Sequence, residues 1–157
     1  MSPGIARRSR ANAGAGAPFD GSNAYTIALG LCDGLDVGPV ARAVLVTRVI
    51  AEASRFGIAA GGEARTFAGL AGLGNLLVRA TGERSREYIL GKRLAEGILS
   101  GDAMTTEGAR AAVAMHELAG KLKVRLPVLS GIAAILAGRI EPRQALRIVG
   151  DQVAAEE

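Results

Sequence analysis

Ser85 and Arg86 are the residues with most to offer a ligand: a hydroxyl and a guanidinium at the start of an amphipathic segment. A helix start presents free backbone N–H groups at the positive end of its dipole. With a hydroxyl and a guanidinium added, it suits a phosphate or another anion. Just upstream, Gly72-Leu73-Gly74-Asn75 places glycines and an amide in one turn, where the backbone can approach a polar ligand closely. The whole stretch from Thr66 to Arg86, which also holds Gly69 and Gly82, is therefore the first place to look for function. The same residues also fit a plainer description, a glycine-mediated helix contact followed by an ordinary Ser cap. Composition alone leaves both readings standing.

Other chemistries lack their parts. His116 is the only histidine, so neither a Ser-His-Asp triad nor a histidine-rich metal site can be assembled. On its helix, beside Val113 and Ala119, it reads as a packed or half-exposed side chain. Cys32 is the only cysteine, which excludes an internal disulfide and a multi-cysteine metal site and fits a reducing compartment. It lies in an apolar segment and reads as a small core residue. Asp33 and Asp36 read as local acceptors flanking a turn. No strand followed by G-x-G-x-x-G and a helix is present, so no dinucleotide-binding half is expected within the sequence.

These residues must be positioned by helices. With 157 residues the chain can bury a core, and 49% hydrophobic content with only 3% aromatics means that Ala, Leu, Val and Gly do the packing. That composition favours closely approaching helices over a sheet sandwich. The net charge of +4 is scattered, without the concentrated footprint of a nucleic-acid binder. No apolar run reaches the roughly 18 residues of a membrane span, and the arginine-bearing N-terminus has no apolar segment after it to make a secretory signal. The expectation is a soluble, cytoplasmic domain. Residues 1–20, rich in Arg, Gly and Ala without periodicity, read as a disordered leader, and residues 21–157 as one domain.

Within it, Tyr25, Ile27, Leu29 and Leu31 predict a buried helix from an Asn23 cap to a stop at Gly34. Gly38-Pro39 opens a second helix, with Ala43, Val46, Ile50 and Ala53 inward, Arg48, Glu52 and Arg55 on the opposite face, and an end at Gly57. Short helices fit 63–70 and 75–80. Ser85 caps a helix to about Gly97, and Thr105 or Thr106 caps another through Leu122. An extended link at 124–126 leads into a helix from Pro127 to Ala137, and Glu141-Pro142 starts a last one through Val149. The fold class is all-α, a single helical domain of about seven or eight helices without strands or repeats.

On these motifs the sequence resembles the C-terminal domain of NAD(P)-dependent glycerol-3-phosphate dehydrogenases. That family shows T-F-x-G-L-A-G-L-G-D-L and then S-R-N. Here Thr66 to Leu76 matches the first element, with Asn75 at its Asp, and Ser85-Arg86-Glu87 follows at the same interval. Upstream, Ala28 to Leu35 is similar to A-x-G-x-x-D-G-L, and Arg48 to Glu52 to R-x-x-x-E. Downstream, Glu107-Gly108 and the helix to Ala119, Val124 to Pro127, and Pro142 to Ala145 are similar to later family elements. The resemblance covers about residues 21–149.

The resemblance implies the helical fold of 6-phosphogluconate and glycerol-3-phosphate dehydrogenases. It also implies a small phosphorylated substrate (glycerol 3-phosphate and dihydroxyacetone phosphate), and NAD or NADP held by a Rossmann domain. By that resemblance, Asn75, Ser85, Arg86 and Glu87 are substrate-site positions, Arg86 and Glu107 are cofactor contacts, and no metal is involved. The family's proton-transferring Lys falls at Ser22, a hydroxyl that cannot readily replace an ammonium. Asn75 loses the family's charge, a family Thr falls at Arg79, and Glu87 brings a negative charge where the family has Asn. The expectation is a chain that binds no cofactor tightly and is inactive alone. It would act with a Rossmann-domain partner chain or as a homodimer; the alternative is a non-catalytic dimerisation or phospholigand-binding module, or a gene remnant.

Overall fold

The computed structural model describes residues 21–61, 85–99 and 101–156, apart from the side chains of Ser22 and of residues 152–156. These residues form helices α1 (Gly21–Leu35), α2 (Gly38–Ala59), α3 (Arg86–Ala95), α4 (Glu107–Leu122), α5 (Pro127–Leu136) and α6 (Pro142–Glu156), with a short 3-10 turn at Ala103–Thr105. The all-α expectation holds, and no described residue lies in a strand. The expected leader (1–20) and the short helices at 63–70 and 75–80 lie outside the described residues.

Helix α1 is the central element. Tyr25, Ile27 and Leu29 are almost wholly buried, and Leu31 nearly so, as the unbroken apolar run predicts. It packs along α3 and α4, with α2 and α5 completing the surround.

The α1–α3 contact is made by glycines. A Cβ built at Gly30 would fall on the Tyr88 carbonyl oxygen, and one built at Gly91 would fall on the Ile27 carbonyl oxygen, with the Leu31 nitrogen 2.8 Å away. One turn further along, a Cβ at Gly34 would meet the Ala95 methyl at 2.6 Å. Gly34 is thus a packing residue rather than the helix stop. Helix α1 continues to Leu35, and Asp36 closes it with φ 53°. Asn23 likewise lies inside α1, which begins at Gly21, so it is not the cap the sequence suggested.

Helix α2 departs further from its sequence pattern. Pro39 does sit in its first turn, but the buried stripe is Leu45, Val49, Glu52, Phe56 and Gly57, while Ala43 is exposed. Gly57 does not end the helix, which runs on to Ala59. Glu52 is only 3% exposed, on the side opposite to the one expected. Its reason lies in another helix. Pro127 begins α5 without an N–H to offer, and Leu126 provides no side-chain cap. The Glu52 carboxylate supplies one instead, accepting from Val128 N–H at 2.6 Å and Leu129 N–H at 3.2 Å. The Tyr25 hydroxyl donates to the same carboxylate at 3.3 Å, so one side chain ties α1, α2 and α5. Arg55 adds a bond from Nη1 to the Arg125 carbonyl at 2.6 Å.

Asp33 is also more than a turn acceptor. It takes a hydrogen bond and ion pair from Arg42 Nε at 3.0 Å and a hydrogen bond from the Tyr88 hydroxyl at 2.5 Å, joining α1 to α2 and α3. Cys32 is buried in α1 as expected; burial first, then the neighbouring Asp33 charge, pushes its thiol up to about 11.

Opposite glycine substitutions test the crossing. Gly91→Ala gains about 1 kcal/mol in helix propensity. It should nevertheless lower stability by about 1–3 kcal/mol, because its methyl meets backbone that cannot step aside. Gly120→Ala in α4 meets nothing within 4 Å and should stabilise by about 0.5–1 kcal/mol. Urea unfolding of both variants checks the pair; equal effects would contradict the packing described.

The Glu52 carboxyl is raised from 4.5 to about 7, chiefly by burial, with the Val128 and Leu129 N–H bonds and the Tyr25 hydroxyl opposing. The folded state therefore holds this proton more tightly than the unfolded chain. Its stabilising contribution is complete below pH 4.5 and is lost as pH rises through 7. The loss is on the order of 3 kcal/mol. Glu52→Gln should flatten the decline between those pH values in denaturant titrations; an unchanged pH profile would refute it.

Candidate functional site

Three helix starts meet at one corner. A Cβ built at Gly108, in the first turn of α4, would run into the Glu87 side chain of α3 and come within 2.6 Å of the Asn23 carbonyl oxygen of α1. Only a glycine lets these backbones approach so closely. The corner therefore gathers the first turn of α1, with Ser22 and Asn23, the start of α3 from Ser85 to Glu87, and the start of α4 from Thr106 to Gly108.

Each start is shaped by local chemistry. Ser85 has extended backbone (φ −67°, ψ 131°) and caps α3, its Oγ accepting from Tyr88 N–H at 3.3 Å. Of the two threonines proposed to cap α4, Thr106 does so: its Oγ1 accepts from Ala109 N–H at 3.3 Å and donates to the Ala103 carbonyl at 2.9 Å. Thr105 instead bonds the Asp102 carbonyl at 2.6 Å.

Glu87 joins two of the starts. Its Oε2 accepts from the Ser85 hydroxyl at 3.2 Å and its Oε1 from Gly108 N–H at 3.3 Å. An acidic side chain there is stabilised by both dipole ends. Arg86 and Glu107 are exposed at the same corner, one at the head of each helix. Asn23 is 6% exposed, and its Oδ1 has no hydrogen-bond partner among the described residues. A buried unpaired oxygen is costly enough to be uncommon.

Of the site residues proposed from sequence, Ser85, Arg86, Glu87 and Glu107 are thus brought together, and the backbone of Ser22 joins them next to Asn23. Asn75 and Arg79 lie outside the described residues. The Gly108 amide was not foreseen as part of the site. Glu107-Gly108 was visible as a motif, but only the fold shows that its N–H faces Glu87. His116 is exposed on α4, with Nδ1 3.2 Å from the Ser130 hydroxyl and no part in the corner.

Two cavities lined by described residues lie away from the corner. One is apolar and sits between α1, α5 and α6, lined by residues including Cys32, Ile135 and Val149. The other is an open groove beside Pro127 and Ser130. Neither gathers charged groups as the corner does, so the candidate site is assigned on its chemistry rather than on cavity size. Among the described residues no three His, Cys, Asp or Glu side chains group as a metal site, and no helix is long and apolar enough to cross a membrane.

Comparison with known proteins agrees on the lineage. Residues 21–147 match the family described as NAD-dependent glycerol-3-phosphate dehydrogenase C-terminus. A glycerol-3-phosphate dehydrogenase [NAD(P)+] of Paracidovorax citrulli is 44% identical over 140 residues, covering 85% of this chain and 41% of the relative. One of Variovorax paradoxus is 43% identical over 129 residues, covering 79% of this chain and 38% of the relative. A crystal structure of glycerol-3-phosphate dehydrogenase from Coxiella burnetii superposes with a TM-score of 0.76 at 34% identity, covering 83% of this chain and 42% of that one. The chain spans about two fifths of the length of these curated relatives. A match over most of the described helices, in sequence and in fold, places this chain in the C-terminal domain family of NAD-dependent glycerol-3-phosphate dehydrogenases.

Proposed function

We propose that this chain supplies the substrate-binding helical part of an NAD(P)-dependent glycerol-3-phosphate dehydrogenase, acting on glycerol 3-phosphate and dihydroxyacetone phosphate. The observation that carries the reading is the corner where α1, α3 and α4 begin together, with Ser85 and Arg86 at its edge. The Ser85 hydroxyl, the Gly108 N–H and the Arg86 guanidinium are of the kind a phosphate uses as donors, and helix starts favour an anion. Arg86 and Glu107, exposed at that corner, are open to a nucleotide, which fits the cofactor contacts the resemblance implies. NAD or NADP, when bound, supplies the hydride chemistry. The residues of this chain hold and orient the substrate beside it. The nucleotide-binding domain would come from further sequence or from a partner chain, and a homodimer is the other arrangement in view. A cytoplasmic setting fits a lone, buried cysteine.

Ser22 and Glu87 favour a second reading, in which the site binds without turnover. Ser22 stands where the family has its proton-transferring Lys, and loss of such a group lowers rates by about two to four powers of ten.

Calorimetric titration with glycerol 3-phosphate should show binding that Arg86→Ala weakens by about tenfold or more, the equivalent of one lost charge-assisted contact. Binding unaffected by that substitution would remove the corner as the phosphate site. In the same preparation, dihydroxyacetone phosphate with NADH or NADPH should give no rate above buffer. A measurable rate would refute the second reading.

A further inference from the structure

We infer that Glu87 is a specificity-determining residue, a built-in anion that competes with a substrate phosphate for the donors of this corner. The inference rests on the corner being the phosphate site, as proposed above. Glu87 reaches across two elements: one carboxylate oxygen takes the Ser85 hydroxyl, and the other takes the Gly108 N–H at the head of α4. These are the hydroxyl and the amide that an entering anion would need. Gly108 makes the competition unavoidable, because its missing Cβ is what allows the Glu87 side chain and the Asn23 carbonyl to close on the α4 backbone.

The local charges sharpen the effect. Arg86 offers one positive charge at the rim, while Glu87 and Glu107 place negative charges in the first turns of α3 and α4. The Asn23 Oδ1, buried in the neighbouring first turn without a partner among the described residues, is an acceptor and offers an anion no hydrogen bond. A dianion must therefore displace the Glu87 carboxylate and remain beside it. A neutral, hydrogen-donating group such as a polyol hydroxyl meets no such repulsion. Glu87 thus ranks ligands by charge, holding down affinity for phosphate.

Glu87→Gln keeps the size of the side chain and removes the charge, and Glu87→Asn shortens it as well, so that it no longer spans to Gly108. The probe is inorganic phosphate, titrated into the 157-residue chain while the amide resonances of Tyr88 and Gly108 are followed by NMR. Circular dichroism confirms that each variant is helical. Removal of the charge should tighten phosphate binding by about tenfold or more, with the Gly108 amide shifting as phosphate saturates. If Glu87→Gln fails to fold, Glu87→Asn carries the same expectation. Equal affinities of wild type and variant would overturn the role of Glu87 and leave the phosphate site itself intact. No phosphate binding by any of the three proteins would overturn both the competition and the placing of the phosphate here.

Discussion

The close crossing of α1 and α3 is the constraint on which the rest depends. Gly30 and Gly91 face each other with no room for a methyl group on either, because the atoms in the way are backbone carbonyls. Backbones this close set the first turn of α3 against the middle of α1, with Tyr88 at Gly30. Gly108 repeats the device on α4 and completes the corner where three helix starts meet. A chain with 3% aromatics has few large side chains with which to fill gaps, so it closes them by bringing backbones together. The candidate site follows from how the core is packed.

Buried polar groups do the rest of the positioning. Glu52 would be an expensive residue to bury alone, yet it takes two N–H groups of α5 that Pro127 and Leu126 leave uncapped, and the Tyr25 hydroxyl besides. Asp33 plays a similar part nearer the surface, joining Arg42 and Tyr88. Tyr88 links this tie to the Ser85 cap through its own N–H. The crossing, the Asp33 tie and the start of α3 therefore form one connected unit, and strain introduced at Gly91 would reach the corner within a turn of helix.

Local chemistry was readable from the chain. Ser85, Thr106, Pro39 and Pro127 mark helix starts because the signal lies within a few residues of the effect. The apolar run of α1 announced its burial for the same reason. Glu52 was placed on the wrong face because a charge at helical spacing reads as solvated unless its partner is known, and that partner lies 76 residues away. Gly34 and Gly57 looked like stops because glycine ends helices and also lets them touch, and only tertiary structure separates those uses. Family motifs carried Ser85, Arg86, Glu87 and Glu107 to the site ahead of any geometry. They could not show that Glu87 would be bonded to Gly108, since that contact depends on how α4 meets α3.

The direct test of the corner is a crystal structure of this chain soaked with glycerol 3-phosphate. The account predicts phosphate density between the first turns of α1, α3 and α4, with an oxygen within hydrogen-bonding distance of Ser85 or Arg86 and the Glu87 carboxylate turned away from Gly108. Ordered ligand in the groove beside Pro127, with the Glu87–Gly108 contact undisturbed, would contradict it.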